Sequence, residues 1–89
     1  MFPDELDRAK VIMHTPKGDY GSLPSWNGDG VDRCVFVAIC KYDNSDSYCL
    51  FKCNADYEVL SDDLGYSIVE CKSIAANSYG ICEDSWISK

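Results

Sequence analysis

Six cysteines, at positions 34, 40, 49, 53, 71 and 82, are the side chains of this 89-residue chain best able to do chemistry. Thiols in such a set join in pairs as disulfides, hold a metal ion as thiolates, or act as nucleophiles. Structural zinc sites bring ligands in close pairs, because two thiolates on one tight turn reach one tetrahedral ion. Here five residues separate Cys34 from Cys40, eight separate Cys40 from Cys49 and three separate Cys49 from Cys53, and the single histidine, His14, lies outside the cluster. That spacing argues against zinc. An even number of cysteines in a short chain instead reads as a disulfide framework, made in an oxidising compartment and supplying stability that a small core lacks. Six thiols pair in many ways, and spacing alone does not choose among them. The alternative is a cytosolic protein with six free thiols.

Other candidates are weaker. His14 would serve as a base only with a nucleophile in hydrogen-bond reach and a third group to orient it, and the disulfide reading claims every cysteine. Asp43, Ser45 and Ser47 alternate as calcium ligands do, but Tyr48 stands where an EF-hand loop needs glycine and Asn54 where it needs the bidentate glutamate. Asp62 and Asp63 read as charges on a hairpin turn that blunt an edge rather than as general acid and base. No phosphate-binding glycine loop, nucleophile elbow or H-E-x-x-H helix occurs. No enzyme activity, cofactor or metal is expected. The aromatic residues Trp26, Trp86 and six tyrosines offer a platform for a protein or a sugar. Strand alternation places Tyr57 or Tyr66 inside and leaves Tyr42, Tyr48 and Trp26 partly exposed.

The elements that position these groups must come from one small domain, since 10.0 kDa leaves too few residues for a second core. A net charge of −7 repels phosphate backbones and anionic headgroups, so neither nucleic acid nor a membrane is an expected partner. Residues 1–5 are acidic and carry no signal-peptide pattern, so the chain is read as the mature part of a secreted protein. Asp4 caps a short helix over residues 5–14; the competing reading makes residues 9–15 a strand, because Val11 and Ile12 are β-branched. Residues 15–32, with Pro16, Pro24 and glycines at 18, 21, 28 and 30, form a long loop. From Arg33 the pattern changes. Residues 34–40 are continuously apolar, as in a strand buried on both faces, and residues 48–53 follow a polar turn as its antiparallel partner. A second hairpin runs over residues 57–60 and 66–71 around the turn 61–65, and two short strands over 79–82 and 85–88 complete the set.

From Arg33 onward this layout resembles the MAX effectors, small secreted virulence proteins of plant-pathogenic fungi. The likeness rests on Cys34-Val35-Phe36-Val37 at the start of the first strand and on Cys71 near the fourth, and spans residues 33–88. It implies an all-β domain: a small six-stranded antiparallel β-sandwich stapled by disulfides over residues 33–89, with residues 1–32 as an added N-terminal extension. It also implies a bridge from Cys34 to Cys71. Cys40 and Cys49 then face each other across the first hairpin, which leaves Cys53 for Cys82. The implied function is non-enzymatic: a secreted, monomeric effector, translocated into host cells, that binds a host protein such as a heavy-metal-associated domain or an immune receptor. The alternative is a secreted toxin or hydrolase inhibitor that acts through the loop 17–32.

Overall fold

In the computed structural model, residues 2–24 and 30–89 are described. Eight strands and one α-helix follow in the order β1 (Glu5–Leu6), β2 (Ala9–His14), β3 (Ser22–Pro24), β4 (Val31–Arg33), β5 (Phe36–Lys41), β6 (Tyr48–Cys53), β7 (Val59–Gly65), α1 (Ile68–Tyr79) and β8 (Ile87–Ser88). The centre is the antiparallel pair β5–β6, in register from Phe36 opposite Cys53 to Lys41 opposite Tyr48. Each of these strands has five buried residues of six, as a strand covered on both faces must. Alternation then sends Phe36, Ala38, Cys40, Cys49, Phe51 and Cys53 to one face and Val37, Ile39 and Leu50 to the other.

Two different layers cover those faces. On the first, Phe2, Leu6, Ala9 and Val11 pack against Cys40, Phe51 and their neighbours. Residues 5–14, expected as a helix, are instead β1 and β2, and β2 pairs with β5 inside the sheet. The competing strand reading for residues 9–15 is the one that matches. The outer side of β2 is shared: β1 pairs with Ala9 and Lys10, β8 with Met13 and His14. The Lys89 ammonium binds Asp4 at 2.8 Å and the Lys89 backbone N–H donates to Ile12 O, so Asp4 and Lys89 lie together on this edge. The six-stranded sheet thus runs β1-β2-β5-β6-β7, with β8 also on β2.

Residues 15–21, expected as loop, run beside residues 34–37. Thr15 N–H donates to Val37 O, Gly18 to Val35 O and Tyr20 to Cys34 O. The β2–β5 pairing therefore continues into the two-stranded ribbon β3–β4, and the expected extension is woven into the sheet rather than added to it. Trp26 lies outside the described residues.

The second face is covered by α1, with Cys71, Ala75 and Ile81 buried against Val37, Ile39 and Leu50. Residues 66–71, expected as a strand, hold the start of this helix. Ser67 Oγ accepts the Glu70 N–H at 3.0 Å, which satisfies a helix N–H that would otherwise lack a partner, and Gly80 ends the helix in the left-handed region at φ 67°. Residues 61–65, expected as a turn, are the body of β7. Gly65 lets the helix approach: a Cβ there would stand 2.6 Å from Cys71 Sγ. The strands expected over 79–82 and 85–88 shrink to β8, after a short 3-10 turn at Glu83–Ser85.

The β1–β2 turn carries its strain at Asp7 and Arg8, at φ 49° and 68°. A two-residue hairpin loop of the type I′ kind needs positive φ at both positions to match strand twist, which Asn-Gly meets at low cost because asparagine tolerates the left-handed region and glycine has no Cβ. Arg8→Gly is therefore expected to stabilise the protein by about 1 kcal/mol and to raise the thermal midpoint by about 4–8 °C, read from circular-dichroism melts of both proteins.

Candidate functional site

All six cysteines are free thiols in this structure, five buried and Cys82 exposed. Register places Cys40 directly opposite Cys49, both on the face covered by Phe2, Leu6 and Val11. Cys34 and Cys71 belong to the layer beneath α1, one at the β4–β5 junction and the other on the helix. Cys53 and Cys82 are set apart: Cys53 is fully buried on the face away from the helix, while Cys82 is exposed just beyond Ile81. The Cys34 thiol donates to Phe36 O at 3.5 Å.

Burial is the main influence on these thiols. It pushes Cys34, Cys40 and Cys49 above the ordinary thiol range, Cys53 to about 12 and Cys71 to about 11. A thiol must ionise to attack, so this is the environment of an inert sulfur rather than of a catalytic one. Among the described residues no three His, Cys, Asp or Glu side chains converge where they could hold a metal ion. Among the described residues no helix is long and apolar enough to cross a membrane.

The remaining sequence candidates are dispersed. His14 stacks flat on Phe2, ring centroids 4.0 Å apart, with Nδ1 2.8 Å from Thr15 O. Ser45 Oγ accepts the Ser47 N–H at 3.1 Å, so it closes its own loop. Asp62 and Asp63 are successive residues of a strand and face opposite ways, Asp62 beside Phe51 and Asp63 beside Leu50. Tyr57 is half-buried against Phe2 and Phe36, Tyr42 and Tyr48 are half-buried, and Tyr66 is exposed.

Two features escaped the sequence reading. Lys52 is fully buried: its ammonium donates to Asp63 Oδ2 at 2.8 Å and to Leu50 O at 3.3 Å, and lies 5.9 Å from the Tyr79 ring centre. This charged contact ties the end of α1 to β6 and β7. Its signal was Lys52 among apolar neighbours, one strand away from an aspartate pair. The second feature is the junction of β7 and α1, where Leu64, Tyr66 and Val69 stand 62%, 75% and 77% exposed. Val69 also opens an open groove of about 390 Å³ along α1, lined with Ser73, Ala76 and Ile81 and flanked by the Lys72–Glu83 ion pair. β7 ends the sheet, and among the described residues no strand pairs with its outer side.

Comparison with protein-family models, with curated proteins and with solved structures gives no match for this chain.

Two measurements probe the buried groups. Asp63→Ala leaves the Lys52 ammonium buried without its counter-charge, and is expected to cost about 2–3 kcal/mol in urea unfolding. That is below the ~3–5 kcal/mol of a fully buried pair because the Asp63 carboxylate is half-exposed. Lys52→Met, of similar length and uncharged, is expected to cost under ~1 kcal/mol. For the thiols the folded protein holds the proton more tightly than the unfolded chain. Their contribution is complete below the unfolded value near pH 9 and is lost as pH rises toward about 11 for Cys71 and about 12 for Cys53. The urea midpoint of the reduced protein is expected to fall across that window, less steeply in Cys53→Ala.

Proposed function

We propose that this chain is a secreted, non-enzymatic binding protein similar to the MAX effectors, which acts by docking onto a protein of a host. The observation that carries this reading is the junction of β7 and α1: a strand edge that no strand among the described residues pairs with, and the exposed side chains of Leu64, Tyr66 and Val69. In the proposed complex the partner adds a strand to β7, and backbone hydrogen bonds supply affinity while side chains choose the partner. Tyr66 is the anchor, because an aromatic ring buries much area at little entropic cost. The finer architecture belongs to the same proposal: a sandwich-like domain locked by disulfides formed on export, bound as a monomer to a heavy-metal-associated domain or an immune receptor.

The charge balance of −7 favours a basic partner and an association that slows as salt is added. Immobilised protein incubated with host extract is expected to capture a basic protein. Tyr66→Ala is expected to weaken that binding at least ~10-fold in titration calorimetry, the loss of one interface anchor, while the thermal midpoint stays within about 2 °C because the side chain is solvent-exposed. Unchanged affinity in this variant, and in Leu64→Ser, would move the binding surface elsewhere.

A further inference from the structure

The register of the central hairpin singles out one pair of sulfurs. Opposed residues of an antiparallel pair have Cα atoms about 4.5 or 5.5 Å apart, both within the ~4.4–6.8 Å span of a disulfide. Cys40 and Cys49 are so opposed, and on the same face. The other cysteine of the two strands is Cys53, which register sets opposite Phe36 rather than Cys40. Cys53 lies four residues along β6 from Cys49, roughly 13 Å at about 3.3 Å per residue. Cys34 precedes β5 and packs in the layer on the opposite face. Cys71 is carried by α1 on that same opposite side. Cys53 and Cys82 would have to meet from the two sides of the sheet.

We infer that Cys40 and Cys49 form a cross-strand disulfide that is made while the hairpin is still open and that, once the core closes over it, resists reduction. The oxidant is a small-molecule disulfide of the glutathione class. The Cys49 thiolate attacks one of its sulfurs, forming a mixed disulfide and releasing one thiolate. The Cys40 thiolate then attacks the Cys49 sulfur and expels the second. Two protein thiols and one RSSR give one protein disulfide and two RSH, so atoms and electrons balance. Timing follows from burial. Cys40 is fully covered and Cys49 8% exposed, so neither the oxidant nor a later reducing thiolate reaches the sulfurs in the folded state. A bridge made in an oxidising compartment would therefore outlast transfer into a reducing one. That consequence rests on the proposed export and entry, whereas the bridge itself does not.

The test begins with reduced, urea-unfolded protein refolded in a glutathione redox buffer, alkylated and digested with trypsin. Cleavage after Lys41 and Lys52 isolates Cys49 in residues 42–52, and cleavage after Arg33 leaves Cys34 and Cys40 in residues 34–41. The expected product joins these two peptides, with fragmentation placing the link on Cys40. In a second arm the oxidised protein meets millimolar reduced glutathione, and the link is expected to survive at least ~10-fold longer in buffer than in urea. The thermal midpoint is expected to be on the order of 10 °C higher with the link than without it. Alkylated Cys40 and Cys49, or either one linked to a different cysteine, would overturn the pairing. Equal reduction rates in buffer and in urea would overturn the persistence. Neither failure touches the docking surface, which stands or falls on partner capture and Tyr66→Ala.

Discussion

The fold depends on one constraint: a central hairpin that is apolar on both faces must be covered twice by a chain too short for two cores. Residues 36–40 and 49–53 are buried almost without interruption, so water must be kept from both sides of β5–β6. At about 25 cal/mol per Å² of apolar surface, leaving either face wet would cost more than a domain of this size has in net stability. The chain meets the demand with unlike parts. Its N-terminal segment curls β1 and β2 under one face, and α1 with the segment after it closes the other. Both ends of the chain are therefore structural, and the tie between Asp4 and Lys89 belongs to the same solution.

Covering both faces explains the unusual polar content of the interior. Lys52 sits at an inward position of β6, where alternation leaves it no route to water, so its ammonium must find its partners inside the protein. Asp63 from the neighbouring strand, Leu50 O and the Tyr79 ring provide them. Asn54 follows the same rule just beyond β6. Its Oδ1 accepts N–H groups from Asp56 and Glu58, and its Nδ2 donates to Asp32 and Glu58. That network holds the β6–β7 connection, including Tyr57 at φ 63°, and fastens β4 to it. Every buried polar side-chain atom among the described residues has a partner, which is what a core this thin requires.

Legibility in the sequence tracked how local the determining physics was. The central hairpin could be read because two apolar runs flank a polar turn, and its observed register leaves residues 42–47 as the connection. The helix was misread although its marks were present. Ser67 and Glu70 have capping-box spacing and Gly80 sits at the stop, but the β-branched Ile68 and Val69 outweighed them. The β1–β2 turn could not be recognised by composition, since Asp7-Arg8 lacks the glycine that usually marks such a loop. Its positive φ values are imposed by the pairing of Leu6 with Ala9. The loop 15–21 joins the sheet mainly through backbone bonds, which leave little trace in side-chain pattern; a side chain that shares in it, that of Thr15, accepts the Val37 N–H through its buried Oγ1. Of the candidate surface, the exposure of Tyr66 and Val69 followed from the missed helix. As strand residues they would alternate in and out, whereas just before the N-cap Ser67 and just beyond it both face solvent.

The end of the sheet also bears on what this surface accepts. A free edge strand is a hazard because it pairs with any other edge, including that of a second copy. β7 carries Asp62 and Asp63 at its middle, and antiparallel self-pairing would bring the carboxylates of two copies near each other, where like charges destabilise a sheet. Only Asp63 has an internal counter-ion in Lys52; Asp62 remains exposed beside Leu64. The same residues that discourage self-association leave an uncompensated negative charge next to apolar side chains. Under the proposed docking, a strand that offers lysine or arginine opposite Asp62 and apolar side chains toward Leu64 and Tyr66 gains the pairing that a second copy of this chain loses. Protection from aggregation and choice of partner would then arise from one pattern of charge on one edge.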